Sequence, residues 1–123
     1  MSNNYARGQH DIRPWGTWEV TDCGQGFCVK RIVVNAGGIL SLQLHHHRAE
    51  HWIIVAGTAQ ITLGEQCFEK KQSESVFIPQ ETKHRIQNNT SAPLIFIEVQ
   101  TGDELDENDI VRFEDKYGRI NNS

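Results

Sequence analysis

A chain of 123 residues with 37% hydrophobic and 23% charged side chains has the composition of one globular domain, long enough to bury a core without disulfide or metal staples. The formal net charge of -4 argues against nucleic acid as a partner, although a local cluster of Lys and Arg can still hold a small anion. No apolar run approaches the ~18 residues of a membrane-spanning helix, and the N-terminus lacks the apolar stretch of a signal peptide, so a cytoplasmic protein with no membrane partner is expected.

In chain order, residues 1–13 read as a polar arm. From Trp15 onward, short β-branched or alternating runs are broken by turn residues: "TWEV", "DCGQG", "FCVKRIVV", "NAGG", "ILSLQLHH", "HWIIVAGTAQITL", "GEQ", "CFEKK", "SVFIP", "HRIQN", "NTSAP" and "LIFIEVQTG". Turn signals at intervals of about ten residues predict an all-β sandwich or barrel over 14–101. No segment between Trp15 and Gly102 carries a helical period of useful length. The acidic stretch "DELDENDIVRFEDKYGR" reads as a loop with one helical turn near Glu104 to Asp109, in a tail (102–123) that packs back on the barrel. Cys23, Cys28 and Cys67 are odd in number and lack C-x-x-C spacing, so they read as free thiols of a reducing compartment.

The stretch "SLQLHHHRAEHW", Ser41 to Trp52, holds four of the six histidines. It is internal and flanked by apolar alternation, which excludes a purification tag. Alternation puts Leu40, Leu42 and Leu44 on one face of a strand and Ser41, Gln43 and His45 on the other. Such a polar face suits either a solvated surface or a wet barrel interior, and further polar-faced strands favour the interior. Glu50 opens the strand "EHWIIVAG", and His84 opens another after a turn built on Pro79. One amide oxygen, two imidazoles and one carboxylate can thus converge from three strands, a set suited to Zn, Mn, Co, Ni or Fe(II). His46 and His51 point to the opposite face, and His10 lies in the arm.

These residues and spacings resemble the cupin superfamily, whose fold is a double-stranded β-helix or jelly-roll barrel. The run Gly37, Gln43, His45, Glu50, Gly57 follows its first motif, with Gln43 where a His is usual. The run Pro79, His84, Asn88 follows its second, with Ser73 and Glu81 standing at two glycine positions in turns. More narrowly, "RPWG", "VKRI", "LSLQLHHHRAEHW", "VAGTAQIT", "FIPQETKHRIQN", "IEVQTG" and "DIVRFEDKYGR" resemble the isomerase domain of type II phosphomannose isomerases, across Arg13 to Arg119. In that family the domain commonly forms the C-terminal part of a bifunctional protein with a mannose-1-phosphate guanylyltransferase. The transferase half is absent here, so guanylyltransferase activity is not expected.

The resemblance implies interconversion of mannose 6-phosphate and fructose 6-phosphate. It implies one divalent ion on Gln43, His45, Glu50 and His84, with zinc first and Mn, Co, Ni, Fe or Mg after it. The reaction needs an electrophile for the oxygens at C1 and C2 and a base over the C1–C2 face. Glu98, on the parity of Leu94 and Phe96, is the expected base, its pKa raised by burial. An exposed edge carboxylate is the plain alternative for Glu98, and His47 is the second candidate base. For the phosphate, Arg31 is preferred over Lys30 because it shares parity with Val29 and Val33. Lys83 beside His84 and Arg112 in the tail are further candidates, and Arg119 is the first choice as a clamp. Trp15, Trp18 and Trp52 read as packing residues. The apolar outward stripe of Leu40, Leu42, Leu44, Ile53 and Val55 needs cover, and a homodimer is expected to supply it. Fold alone does not fix chemistry. A sugar- or sugar-phosphate-binding cupin without turnover, and a cupin acting on another phosphosugar, therefore compete with the isomerase.

Overall fold

The computed structural model describes residues 2–118. Its strands are β1 (Ser2–Asn3), β2 (His10–Arg13), β3 (Gly16–Gly24), β4 (Phe27–Val34), β5 (Leu42–Leu44), β6 (Arg48–Ala56), β7 (Thr58–Leu63), β8 (Gln66–Lys71), β9 (Ser75–Ile78), β10 (His84–Gln87), β11 (Leu94–Gly102), β12 (Glu104–Leu105) and β13 (Val111–Glu114). Among the described residues there is no helix, and hence none long and apolar enough to cross a membrane. A six-stranded sheet in the order β2-β3-β4-β11-β6-β9 and a five-stranded sheet in the order β13-β5-β10-β7-β8 enclose the core; β1 and β12 form a separate pair. Fully buried Phe96, Ile54, Ile61, Ile86 and Leu94 carry that core, together with Trp15, Trp18 and Trp52 as expected.

The period-2 alternation of strands is clearest in β6, where Arg48, Glu50, Trp52 and Ile54 are buried while His51, Ile53 and Val55 face outward. Ile53 and Val55 are 44% and 42% exposed, and Phe77 on β9 joins them at 47%. Around β6 and β9 the outer face of this sheet is therefore largely apolar, while its inner face carries Arg48 and Glu50 beside Trp52 and Ile54, so apolar character alone does not mark the inside. Of the three leucines, Leu42 and Leu44 lie on the outer face of the second sheet and are half-buried, whereas Leu40 precedes β5 and lines the interior pocket.

The polar arm is built into the barrel. Parallel pairing joins Ser2 to Glu104 and Asn3 to Leu105. Asn3 Nδ2 donates to the carbonyls of Gly24 (2.7 Å) and Phe27 (3.0 Å), and Tyr5 is 7% exposed. The acidic tail contains a turn closed by Asp109 N–H on the Asp106 carbonyl (3.1 Å) where one helical turn was expected, and β13 then adds an edge strand beside β5.

Both turns in which this chain departs from the glycines of the cupin motifs hold left-handed backbone: Ser73 has φ 74° and Glu81 φ 63°. An L side chain costs about 1–2 kcal/mol in that region. Ser73→Gly removes this strain but adds about 0.5–1 kcal/mol of chain entropy to the loss on folding. The substitution is expected to stabilise the protein by about 0.5–1 kcal/mol, read as a higher Tm in thermal melts. An unchanged or lower Tm would mean that Ser73 is not strained.

Candidate metal centre and pocket

Strand register places the candidate ligands. On the inner face of the five-stranded sheet, Arg112, Gln43, His84 and Leu63 are successive cross-strand partners in one row. Facing them on the six-stranded sheet are two rows, Lys30–Glu98–Trp52 and Cys28–Gln100–Glu50. His45 follows β5 and is 3% exposed. One ligand atom each from His45, Glu50 and His84 lies within 4.8 Å of the others, all three buried.

The hydrogen bonds orient these groups for a cation. His45 Nδ1 lies 2.6 Å from the Asp109 carbonyl and His84 Nδ1 lies 2.9 Å from the Thr82 carbonyl. A carbonyl only accepts, so both rings carry their proton on Nδ1 and leave the Nε2 lone pair for the centre. Gln43 donates from Nε2 to Ser41 O (3.3 Å) and Oγ (3.2 Å), which leaves its Oε1 as the available donor atom to a metal. Two neutral imidazoles, one carboxylate and one amide oxygen fit a divalent ion of the zinc or manganese type.

Electrostatics agree. Burial, and then the Arg48 charge, pull His45 down to about 3; burial also lowers His84. Burial opposes ionisation of Glu50, but Arg48 together with His45, His84 and the Glu98 carboxyl outweighs it and holds the carboxyl well below its ordinary range. Glu98 behaves oppositely: burial, and then the neighbouring Glu50 charge, push it up to about 8 against the pull of Lys30 and Arg48. The two carboxylates share the Trp52 indole, whose Nε1 lies 2.9 Å from Glu50 Oε1 and 3.2 Å from Glu98 Oε1. Gln100 Nε2 donates to the other Glu98 oxygen at 2.8 Å.

These shifts set the pH dependence of the metal-free protein. Below the ordinary histidine value of 6.5, the unfolded chain binds protons that folded His45 refuses down to about 3, so stability falls with falling pH. The folded Glu98 keeps its proton to about 8 while the unfolded carboxyl releases it near 4.5, so stability falls with rising pH between those values. Of these two effects only the second acts above 6.5; below 4.5 the first is joined by Glu50 and Glu107, whose carboxyls are held below their ordinary range and lose that stabilisation as they protonate. Thermal melts of metal-stripped protein are expected to peak between pH 4.5 and 6.5, and Glu98→Gln is expected to flatten the alkaline side. A maximum near pH 8 would contradict this assignment of charges.

The expected phosphate residues are scattered. Arg112 lines the pocket beside Gln43. Arg31 does not enter it: its cross-strand partners are Glu19 and Ile97, it is exposed, and Lys30 is the inward cation, 3% exposed. Parity with Val29 and Val33 misled because the outer face is itself apolar. Lys83 is exposed, with its Nζ 4.2 Å from the Phe113 ring centroid. His47 is exposed and pairs with Glu104 at 3.3 Å. Arg119 lies outside the described residues.

Arg48 was missed. It is 6% exposed and lines the pocket, with Nε 2.9 Å from Glu50 Oε2, Nη1 3.1 Å from the Asp106 carbonyl and Nη2 3.3 Å from His45 Nε2. The signal was its i, i+2 relation to Glu50, which a strand beginning two residues earlier would have revealed. Lys30 is set aside for a different reason, the apolar company of Arg31. Its ammonium lies 4.1 Å and 4.4 Å from the Trp18 and Tyr5 ring centroids and 2.6 Å from Glu107. Arg13 and Arg85 complete the cations that line the pocket.

Comparison with known proteins agrees with this geometry. The Cnp3 cupin domain of Schizosaccharomyces pombe superposes with a TM-score of 0.68 at 15% identity, covering 71% of this chain and 64% of that one. The fold is a cupin barrel. The xanthan biosynthesis protein XanB of Xanthomonas campestris is 55% identical over 107 residues, which are 87% of this chain and 23% of XanB. The mannose-1-phosphate guanylyltransferase ManC of Salmonella typhimurium is 48% identical over 122 residues, covering 94% of this chain and 25% of ManC. The chain thus spans about a quarter of the length of these curated relatives. The family described as mannose-6-phosphate isomerase C-terminal matches residues 2–115. Barrel, buried ligand cluster and sequence match agree, and the chain belongs to that mannose-6-phosphate isomerase C-terminal family.

Proposed function

We propose that this chain is a metal-dependent aldose–ketose isomerase that interconverts mannose 6-phosphate and fructose 6-phosphate. The observation that carries the reading is the buried His45–Glu50–His84 cluster in one pocket with Glu98 and inward-facing cations. Gln43, His45, Glu50 and His84 would hold the ion, zinc first, which supplies Lewis acidity toward the oxygens at C1 and C2. Glu98, held by the Trp52 and Gln100 N–H groups, takes the proton from C2 on a carboxylate oxygen and returns it at C1. The hydroxyl proton passes from O2 to O1, so the sugar changes from aldose to ketose with no net gain or loss of atoms. Arg112 is read as the residue that fixes the phosphate, a role supported by its pairing with Gln43 across β13 and β5 and by its place in the pocket lining.

The test is a coupled assay on metal-stripped protein with Zn, Mn, Co and Mg restored separately. Turnover of mannose 6-phosphate that returns with metal supports the isomerase. Binding of metal and sugar phosphate without turnover would replace it by a binding module.

The apolar outer face also supports a homodimer, with Ile53, Val55 and Phe77 against a second copy. Light scattering is expected to give twice the chain mass, and Phe77→Glu a single chain mass. A wild-type protein that already runs as a monomer would end this proposal.

A further inference from the structure

The residues between β12 and β13 carry polar contacts to Arg48, Lys30 and His45 of the site. The Asp106 carbonyl accepts from Arg48 Nη1 (3.1 Å), and the Glu107 carboxylate binds Lys30 Nζ (2.6 Å) and the Tyr5 hydroxyl. Asp109 goes furthest, because it makes three contacts with three consecutive residues. Its carbonyl accepts from His45 Nδ1 (2.6 Å), while its Oδ1 and Oδ2 accept the backbone N–H groups of His46 and His47, each at 2.9 Å.

His45 needs this support. Strand β5 ends at Leu44, so no ladder holds the ligand, and the chain bends directly after it. On one side the Glu81 N–H donates to the His45 carbonyl at 2.9 Å. On the other, Asp109 fixes both the ring proton and the bend. A carboxylate that accepts two successive backbone N–H groups makes charge-assisted bonds, stronger than neutral ones.

We propose that Asp109 is a positioning residue of the metal centre, clamping the His45–His47 bend so that His45 presents Nε2 inward. The inference rests on the reading of Gln43, His45, Glu50 and His84 as metal ligands. A partner that fixes the second nitrogen of a ligating imidazole typically contributes about 10- to 100-fold in metal affinity.

Cobalt(II) is the probe, titrated into the metal-stripped full chain and followed by its d–d absorption against a competing chelator. Asp109→Ala keeps the carbonyl that accepts from His45 Nδ1 and removes only the carboxylate that holds the His46 and His47 N–H groups, so cobalt affinity is expected to fall about 10-fold, the lower end of what a supporting contact to a ligating imidazole contributes. Asp109→Asn keeps one acceptor oxygen for two N–H groups and is expected to fall between the two proteins. Glu104→Gln removes the same charge from the same surface, where it touches only the exposed His47 ring. Solvent screens that charge, so this variant is expected to bind cobalt within about twofold of wild type. Long-range 1H–15N spectra of the metal-free proteins give a second readout: a single Nδ1–H tautomer for His45 in wild type, and a mixture in Asp109→Ala, where the loosened bend no longer aims the ring at the retained Asp109 carbonyl. Wild-type cobalt affinity in Asp109→Ala overturns the inference and leaves the metal reading standing. Equal losses in Asp109→Ala and Glu104→Gln also overturn it, because the effect is then one of charge. A wild type that takes up no cobalt overturns the metal reading, and the His45 tautomer in Asp109→Ala then decides the role of Asp109.

Discussion

Glu98→Gln is expected to lower kcat for hexose-phosphate isomerisation about 100- to 10,000-fold, the range for losing a positioned base. The substitution is well suited to the question because the pocket can absorb it. Trp52 Nε1 donates to one Glu98 oxygen and Gln100 Nε2 to the other, so an introduced amide sets one N–H group against another. Gln100 Oε1, however, is buried and has no hydrogen-bond partner among the described residues. Rotation of the Gln100 amide by a half-turn presents that oxygen to the new NH2 group, so the one unpaired position at Gln100 passes from its oxygen to its NH2 group and no second is added. Wild-type thermal stability and cobalt uptake with kcat collapsed would assign Glu98 to proton transfer. Retained turnover would move the base elsewhere and leave Glu98 as a buried partner of Glu50.

His84→Ala is expected to abolish turnover by a different route, through loss of the ion. His84 Nε2 lies 4.0 Å from Glu50 Oε1, its ring stands 5.0 Å from that of His45, and its Nδ1 proton is held by the Thr82 carbonyl. Removing a ligand should cost more affinity than the roughly 10- to 100-fold lost with a supporting contact. Because the imidazole is buried and neutral, the metal-free variant loses packing rather than a charge pair. Equilibrium dialysis with zinc separates the two outcomes. Loss of both zinc and activity places the ion at His84. A variant that still binds zinc with wild-type affinity would exclude His84 from the ligand set.

Local alternation made much of the site legible. Gln43 and His45 flank one residue of β5, and Glu98 shares parity with Phe96, so period 2 was enough to aim them inward. What failed was the assumption that apolar neighbours mark the inside. Val29 and Val33 sit outside, on the same face as Ile53 and Val55, which were expected there, and the pocket face carries Lys30, Arg48, Glu50 and Glu98. Arg48 was lost to a strand boundary set two residues late, and Arg31 was preferred to Lys30 for its apolar company. The tail was hardest to read. Its acidity suggests a solvated loop, yet Glu107 and Asp109 spend their oxygens on Lys30, Tyr5 and the histidine bend. Such long-range partners leave no periodic trace in sequence.

The parallel pairing of β1 with β12 also bears on how the protein is made. Asn4 Nδ2 donates to Asp106 Oδ2 at 2.5 Å across 102 residues of chain, so residues beside β1 are braced by residues that are made long after them. A nascent chain that ends before residue 103 already contains Gln43, His45, Glu50 and His84. It lacks the carbonyls of Asp106 and Asp109 that hold Arg48 and His45. Closing so long a loop is among the slower events in folding an all-β domain. Acquisition of the ion is therefore expected to wait until residues 104–109 have been made and paired, and truncation before residue 103 should leave all four ligands present but unable to retain it.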